Sequence, residues 1–267
     1  MPKSEYADLT ETLLSINGAS GQEEHIRTFI VNELEPLMDS VTVDSYGNVC
    51  AEKYFGRGSV VLLNAHMDTV LPFEPGRVIV KEGDVWSSSA GILGADDRAG
   101  MAAVLAATKT VCHNRDFRGT LKVIFTVEEE IGLCGAKQVS EVFTHNVDMA
   151  FVVDRRGNSD FVTCNYSMKF CTEPFETELS RIGRTLTQQY NRAQWKPVVG
   201  GSSDTAIWAQ RGINSVNISA GYSHEHSEFE TLNIADSYHS YQVLLELIAE
   251  SRHLSNAYLQ RQMRQVR

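Results

Sequence analysis

The sequence predicts an α/β protein in which three αβα layers enclose a mostly parallel, mixed central sheet. Four short apolar runs have the length and the unbroken hydrophobicity of strands that are buried on both faces. Longer segments with helical spacing separate some of these runs, and strands that alternate with helices are typical of a parallel sheet covered on both sides. The four runs are residues 60–64, 121–126, 149–153 and 215–218.

The helices and the minor strands follow from local patterns. Apolar residues at helical spacing predict helices over residues 4–16 and 22–38, and a glycine-containing break at residues 18–21 separates them. Short strands are expected on either side of the turn at residues 46–48. Because no repeat, low-complexity tract or long linker interrupts the chain, we expect residues 1–267 to form a single domain. Further helices are expected at residues 99–111, 175–190 and 236–253.

The composition excludes several classes of function. The formal net charge is −10, from 34 acidic and 24 basic residues, whereas nucleic-acid binding needs a cationic surface. The five cysteines show no C-x-x-C spacing, so neither a disulfide framework nor a structural zinc finger is expected. The first ten residues lack the apolar run of a signal peptide, and no apolar stretch reaches membrane-spanning length. We therefore expect a cytoplasmic protein with no nucleic-acid or membrane partner.

Acidic residues and histidines follow each of the four apolar runs. Ligands of open α/β sheets bind outside the carboxyl ends of the strands, so these side chains are expected at one edge of the sheet. It is improbable that four consecutive strands are each followed by such residues by chance. The residues are His66 and Asp68 after the first run, Glu128, Glu129 and Glu130 after the second, Asp154 after the third, and His224, Glu225 and His226 after the fourth.

Imidazole nitrogens and carboxylate oxygens in this arrangement indicate a metal site. Both are ordinary ligands of zinc, and two divalent ions ~3.5–4 Å apart need a shared ligand, which a carboxylate provides best. Asp96 and Asp97, just before the helix expected at residues 99–111, can each be this bridge. Helix capping is the alternative role for Asp96, because Asp is a preferred N-cap residue.

Neighbouring side chains suggest two supporting roles. Residues two apart in an extended segment point the same way, so Asp68 can accept the second ring N–H of His66 and fix its tautomer. Adjacent side chains among the three glutamates at 128–130 point in different directions. One glutamate can therefore bind metal while its neighbour acts as general base to a metal-bound water, whose pKa zinc lowers to ~7.

As a set, these motifs resemble those of the co-catalytic zinc aminopeptidases and carboxypeptidases. That clan includes peptidase T, the glutamyl aminopeptidases and the bacterial leucyl aminopeptidases. The resemblance covers most of the chain, from the entry segment at residues 20–23 and the turn at residues 44–48 onwards. It implies the zinc-exopeptidase form of the αβα fold. The motifs that carry it are His66-x-Asp68, Gly94-Ala-Asp-Asp-Arg-Ala-Gly100, Thr126-Val-Glu-Glu-Glu-Ile-Gly132, Asp154 and His226.

The resemblance implies two zinc ions, with cobalt or manganese as alternatives, that share one aspartate. It also implies that this bridging Asp96 is joined to Asp97 by a cis peptide bond. Between His224 and His226, the resemblance favours His226, because the segment at residues 230–236 then fits the family better. The implied ligands are His66, Asp96 and Asp154 for one ion, and Asp96, Glu130 and His226 for the other.

The resemblance also implies the catalytic roles. The family has an acidic pair before Ile-Gly, whereas this chain has three acids there. Alignment on Ile131-Gly132 makes Glu129 the general base and Glu130 the ligand, and it leaves Glu128 outside the pair. Asp68 would orient His66. The implied reaction is the hydrolysis of a peptide bond by an exopeptidase, with aminopeptidase activity favoured, through a metal-bridging water that Glu129 activates.

Other readings of the same motifs stay open. An N-acyl amino acid deacylase or a carboxypeptidase would use the same zinc chemistry, and a non-catalytic scaffold relative is a further alternative. Arg155 and Arg156 either recognise a substrate carboxylate or lie in a solvated loop. Many relatives carry a lid or dimerisation domain, but residues 69–95 and 155–200 are too short for one. We therefore expect the bare catalytic domain, acting on a peptide or N-acyl amino acid, with its oligomeric state open.

Overall fold

The computed structural model describes residues 1–114 and 116–256 of the chain. Its helices are α1 (Lys3–Ser15), α2 (Glu24–Leu34), α3 (Ala95–Asn114), α4 (Cys134–Gln138), α5 (Glu141–Thr144), α6 (Glu173–Tyr190), α7 (Asp204–Gln210) and α8 (Ile234–Ala249). Its strands are β1 (Ser40–Val43), β2 (Val49–Tyr54), β3 (Ser59–His66), β4 (Ile79–Glu82), β5 (Val85–Ser88), β6 (Gly119–Thr126), β7 (Met149–Arg155), β8 (Asp160–Cys164), β9 (Lys196–Val199), β10 (Asn214–Ser219), β11 (Tyr222–Ser223) and β12 (Thr231–Asn233).

The central sheet has eight strands in the order β1-β2-β6-β3-β7-β10-β8-β9. Its middle strands β6, β3, β7 and β10 are mutually parallel, and they are the four apolar runs of the sequence. Antiparallel pairs join β1 to β2, β2 to β6 and β10 to β8, whereas β8 and β9 are parallel. The predicted mixed and mostly parallel sheet is confirmed.

Side chains of the central strands alternate between two helical layers, as strand geometry requires. In β3, Val61 and Leu63 pack in a core with residues of α1, α2, α3, α6 and α8. Leu62, between them, packs on the opposite face with Trp208 of α7 and with residues of α4 and α5. Both faces of the sheet are therefore covered, which confirms the three αβα layers and explains why these strands are apolar throughout.

The close approach of α3 to β7 brings the start of this helix to the carboxyl edge of the sheet. Gly100 makes the approach feasible, because a Cβ at this position would lie 1.8 Å from the backbone oxygen of Val153. The preceding residues Asp96 and Asp97 are thereby placed beside the ends of β3 and β7.

A small antiparallel sheet, in the order β11-β12-β5-β4, stands apart from the central one. Strands β4 and β5 come from residues 69–95, and β11 and β12 flank the loop that carries His224 and His226. The hairpin of β4 and β5 therefore lies within the first of the two segments that the sequence analysis considered for an extra domain. That residues 1–267 form a single catalytic domain stays a prediction.

Several helix boundaries differ from the expectation by a few residues, and two of them have a clear local cause. Helix α2 ends at Leu34 rather than at residue 38, because Pro36 lacks the backbone N–H that would continue the helical hydrogen bonds. Helix α8 begins at Ile234, because the Asn233 side chain accepts hydrogen bonds from the N–H groups of Ala235 and Asp236. Among the helices of the described residues, none has the length and apolar character needed to cross a membrane. The expectation missed the short elements β4, β5, β8, β9, β11, β12, α4, α5 and α7.

Candidate metal centre

The carboxyl edge of the parallel strands gathers the acids and histidines that the sequence singled out. His66 is the last residue of β3, Asp154 lies in β7, and the glutamates at residues 128–130 follow β6. Asp96 lies at the start of α3, and His226 lies in the loop between β11 and β12. Residues that are far apart in sequence meet here because the carboxyl ends of parallel strands share one edge.

The first donor set consists of His66, Asp96 and Asp154. The His66 Nε2 atom lies 3.1 Å from Asp96 Oδ1 and 3.6 Å from Asp154 Oδ1, and all three side chains are almost fully buried. The Tyr222 hydroxyl donates a hydrogen bond of 3.0 Å to Asp154 Oδ1. This hydrogen bond holds the Asp154 carboxylate in its orientation toward the set.

The second donor set consists of Asp96, Glu130 and His226. The His226 Nε2 atom lies 3.2 Å from Asp96 Oδ2 and 2.9 Å from Glu130 Oε2. Asp96 thus directs one carboxylate oxygen toward each donor set. The other oxygen of Glu130, Oε1, is buried and has no hydrogen-bond partner within residues 1–114 and 116–256.

Both donor sets fit a divalent metal ion. Each set offers one imidazole nitrogen and two carboxylate oxygens, which is ordinary zinc chemistry, and its donor atoms lie within 4.8 Å of one another. Ligands that share a zinc ion at ~2.0–2.2 Å are themselves about 3–3.6 Å apart, as the histidine–carboxylate distances are. The buried oxygen of Glu130 lacks a partner that a cation would supply.

Asp68 stands behind the first donor set. Its Oδ1 atom lies 3.2 Å from His66 Nδ1, so it accepts that ring N–H and leaves Nε2 facing the donor set. It also accepts hydrogen bonds from the Ser20 hydroxyl at 2.7 Å and from the backbone N–H groups of Glu129 and Glu130 at 2.9 and 3.1 Å. Burial opposes ionisation of Asp68, but these hydrogen bonds lower its pKa to about 2.

The three consecutive glutamates take three different directions. Glu128 has a positive φ of 51° and accepts a hydrogen bond of 2.5 Å from the Tyr46 hydroxyl, away from the donor sets. Glu130 joins the second donor set. The Glu129 carboxylate makes no hydrogen bond or ion pair in the described part of the chain, and burial together with the charge of Asp154 raises its pKa well above its usual value. Glu129 is therefore an acid close enough to interact with the charges of His66 and Asp154, and its oxygens are uncommitted.

The two adjacent aspartates divide the roles that the sequence left open. Asp97 Oδ1 accepts a hydrogen bond of 3.0 Å from the N–H of Gly100, and Oδ2 accepts one of 3.3 Å from the N–H of His66. Asp97 therefore caps the first turn of α3, while both oxygens of Asp96 face the donor sets. The peptide bond between Asp96 and Asp97 is cis, as the resemblance implied.

The electrostatics of the metal-free centre favour a cation. Burial and neighbouring acids raise the pKa of Asp154 to about 6 and that of Glu130 to about 7. Burial also opposes ionisation of Asp96, but hydrogen bonds from His226 and His66 hold its pKa well below the usual value. The hydrogen bond to Asp96 raises the pKa of His226 to about 9. Asp154, Glu130 and His226, which have raised pKa values, thus bind protons more readily than usual at positions where a metal ion would bind.

Two acids near the donor sets were given no role by the sequence analysis. Glu230 is buried and accepts hydrogen bonds from the backbone N–H groups of Gly94 at 2.7 Å and Asp96 at 2.9 Å, so it holds the backbone of the shared aspartate. Asp204 begins α7, is also buried, and accepts a hydrogen bond of 2.5 Å from the Thr126 hydroxyl. The spacing of Glu230 four residues after His226 was a usable signal, whereas Asp204 had none.

Residues that the sequence weighed as alternatives lie outside the donor sets. His224 is exposed, and its backbone oxygen accepts a hydrogen bond of 2.6 Å from the Ser227 hydroxyl. Arg155 lies 3.3 Å from Asp160, and Arg156 forms an ion pair with Glu225. Both guanidinium groups are therefore already paired with carboxylates of the chain itself.

The chain has a three-layer αβα fold with these donor sets at the carboxyl edge of its central sheet. This combination places the chain in the class of metal-dependent peptidases. Within that class, a sequence model of peptidase family M28 matches residues 48–250. The chain belongs to peptidase family M28.

The chain is also similar to a curated relative in sequence and to solved structures in fold. The uncharacterized protein YqjE of Bacillus subtilis is 39% identical over 182 residues, which are 67% of this chain and 43% of that protein. The chain thus spans less than half the length of this relative. The structure is similar to that of aminopeptidase PepT from Bacillus cereus, with a TM-score of 0.79 at 17% identity, covering 94% of this chain and 99% of the other. A tripeptidase from Staphylococcus aureus gives a TM-score of 0.80 at 17% identity, covering 96% and 99%.

Proposed function

We propose that this chain is an aminopeptidase that works with two zinc ions, one in each donor set. His66, Asp96 and Asp154 would hold the first ion, and Asp96, Glu130 and His226 the second. Zinc ions in such a site supply Lewis acidity toward a carbonyl group and lower the pKa of a water to ~7. Membership of peptidase family M28 and the fold shared with solved aminopeptidases support peptide bonds as the substrate class.

The position of Asp96 is the observation that carries this proposal. One of its oxygens lies 3.1 Å from His66 and the other 3.2 Å from His226, so one carboxylate serves both donor sets. Two divalent ions held close together repel each other, and a shared carboxylate offsets that repulsion. A helix cap would need neither of these contacts, and Asp97 already performs that task.

Glu129 is the proposed general base. Its carboxylate is uncommitted, it interacts with the charges of His66 and Asp154, and its backbone is fixed by the hydrogen bond from its N–H to Asp68. The raised pKa suits a group that takes a proton from water and then gives it to the leaving amine. In this proposal Asp68 both orients His66 and holds the base in position.

The charge of the centre favours a substrate with a free α-amino group. Acidic groups of the protein outnumber its basic groups around the donor sets, so these surroundings suit an ammonium group better than a carboxylate. Arg155 and Arg156, the cations considered for a substrate carboxylate, are paired with Asp160 and Glu225. This arrangement supports an aminopeptidase over a deacylase or a carboxypeptidase. The carboxyl groups concerned are those of Asp68, Asp96, Asp97, Glu129, Glu130 and Asp154.

The substitution Glu129→Gln tests the mechanism. It keeps the shape of the side chain but removes the base, so we expect normal zinc content and a kcat reduced by ~10²–10⁴-fold. Glu128→Gln is the matched control, because its carboxylate contacts Tyr46 instead of the donor sets and should leave kcat unchanged. A Glu129→Gln enzyme with full activity would refute the role of Glu129.

Paired substrates test the specificity. Peptides with a free α-amino group, the same peptides after N-acetylation, and N-acyl amino acids are offered to the zinc-loaded protein in parallel. The proposal expects hydrolysis of the free-amino peptides alone, with release of the N-terminal residue. Hydrolysis confined to the N-acylated compounds would identify a deacylase and overturn the assignment as an aminopeptidase.

A further inference from the structure

The loop at residues 224–230, between β11 and β12, holds its backbone in an unfavourable conformation. His224 and His226 have positive φ angles of 57° and 63°. Non-glycine residues occupy this left-handed region at a cost of about 1 kcal/mol, and they persist there when surrounding contacts determine the conformation. The loop therefore needs contacts from other segments to keep His226 in place.

The ring of His226 supplies such contacts through one atom alone. Its side chain is 47% exposed, and only its Nε2 atom has partners, namely Asp96 and Glu130 of the donor set. Within residues 1–114 and 116–256, no side chain meets its Nδ1 atom as Asp68 meets that of His66. Apart from these two Nε2 contacts, the direction of the His226 ring depends on the position of its backbone.

The residue between the two histidines anchors this backbone. The Glu225 side chain is only 10% exposed, and its Oε1 atom forms an ion pair with Nη2 of Arg156. Arg156 directly follows β7, which carries Asp154 of the first donor set. Apart from the contacts of His226 itself, this is the one ion pair that ties residues 224–230 to another segment in the described part of the chain.

We propose that Glu225 and Arg156 are positioning residues that hold His226 at the second donor set. The ion pair ties the loop to the end of β7 and thereby performs for His226 what Asp68 performs directly for His66. Glu230 fixes the far end of the same loop through Gly94 and Asp96, so Glu225 sets the part next to the histidine. This inference rests on the proposed function, because it takes His226 as a metal ligand.

The two partners are not equivalent. The Arg156 side chain is 60% exposed, whereas Glu225 is buried and its Oε2 atom has no hydrogen-bond partner among the described residues. Removing the Arg156 charge leaves an unpaired buried carboxylate, which is more costly than exchanging Glu225 for a neutral isostere. We therefore expect Arg156→Met to disturb the loop more than Glu225→Gln.

Zinc titration of the metal-free protein, residues 1–267, tests the proposal. The wild type should bind two equivalents, and Arg156→Met should bind the second about tenfold more weakly while the first is unchanged. Glu225→Gln should give a smaller loss in the same direction, and Arg156→Lys should recover part of it. At limiting zinc, kcat should fall in Arg156→Met, excess zinc should restore it, and KM for a peptide should stay constant.

Asp160→Asn is the matched control. It removes the neighbouring ion pair, between Asp160 and Arg155 at the end of the same strand, and should leave both zinc affinities unchanged. Equal zinc binding by Arg156→Met and the wild type would overturn the inference while the proposed function stands. A raised KM with unchanged zinc binding would make Arg156 a substrate contact and would likewise overturn it. A wild type that binds no zinc would instead refute the proposed function.

Discussion

His66 and His226 stand at opposite ends of one donor cluster, and the chain secures their rings in different ways. His66 ends a central strand, is buried among core residues and gives its Nδ1 proton to Asp68. His226 lies in a loop, and nearly half of its side chain is exposed. The first end of the centre is therefore built into the sheet, whereas the second depends on a loop tied down by its neighbours.

The difference separates folding from metal binding. A buried histidine among acids contributes to the folded state even without metal, because its removal leaves carboxylates unpaired in the interior. His226 also pairs with buried carboxylates, but it is about half exposed, so solvent screens these pairs and its contribution to folding is smaller. Substitutions at the two ends should consequently have different effects on stability and similar effects on metal content.

The largest effect on metal content and activity is expected at Asp96, which contacts both histidines. Asp96→Ala removes the carboxylate that faces both donor sets, so both zinc equivalents and at least ~10³-fold in kcat/KM should be lost. Elemental analysis of the dialysed protein and a peptide assay measure this loss. Retention of two zinc ions by this variant would show that the shared ligand is elsewhere, and Asp160→Asn serves as a control for the loss of one acid.

The comparison itself is tested by His66→Ala and His226→Ala. In the metal-free protein, His66→Ala should lower the free energy of unfolding by about 3 kcal/mol, because buried acids lose their partner. His226→Ala should lower it by less, about 1–2 kcal/mol, because solvent screens its pairs with the buried Asp96 and Glu130. Urea unfolding in the presence of a chelator gives both values. Equal losses would mean that the two ends are secured alike.

A smaller effect concerns pH. In the metal-free protein the pKa values of Asp154 and Glu130 are raised to about 6 and about 7. The folded state then holds protons that the unfolded state has released, so these groups lower the free energy of unfolding as pH rises from ~4 through 7. Zinc takes the place of these protons. The increase in Tm on adding zinc should therefore be about 5 °C greater at pH 8 than at pH 5 in thermal unfolding, and an increase independent of pH would contradict this account.

The smallest effect is expected from Tyr222→Phe, which sharpens the comparison at the first end. The variant loses the hydrogen bond to Asp154, worth about 1 kcal/mol, so the first zinc should bind roughly fivefold more weakly. The second zinc, held by the other donor set, should bind as in the wild type. Tyr238→Phe is the control, because that hydroxyl donates to the backbone of Met1. An equal loss at both zinc sites would contradict the independence of the two ends.

The parts of the fold predicted from the sequence are those with a strong local signal. The four parallel strands are continuous apolar runs, since both faces are buried, and such runs are visible in the sequence. The strands β4, β5, β11 and β12 are short and partly exposed, and they form a sheet only by pairing segments that are distant in the chain. Helix α2 was predicted too long, because the apolar spacing continues past Pro36, whereas the helix ends at Leu34.

The amino-acid sequence by itself determined which residue types arrive at the carboxyl edge, because strand order and alternation place the residues after each apolar run there. The tertiary structure decided which of them face one another. It placed Asp97 as the cap of α3 with Asp96 between the donor sets, directed Nε2 of His226 rather than the ring of His224 at Asp96 and Glu130, and paired Arg156 with Glu225. These outcomes depend on contacts between segments far apart in the chain, and periodicity within a segment carries no information about such contacts.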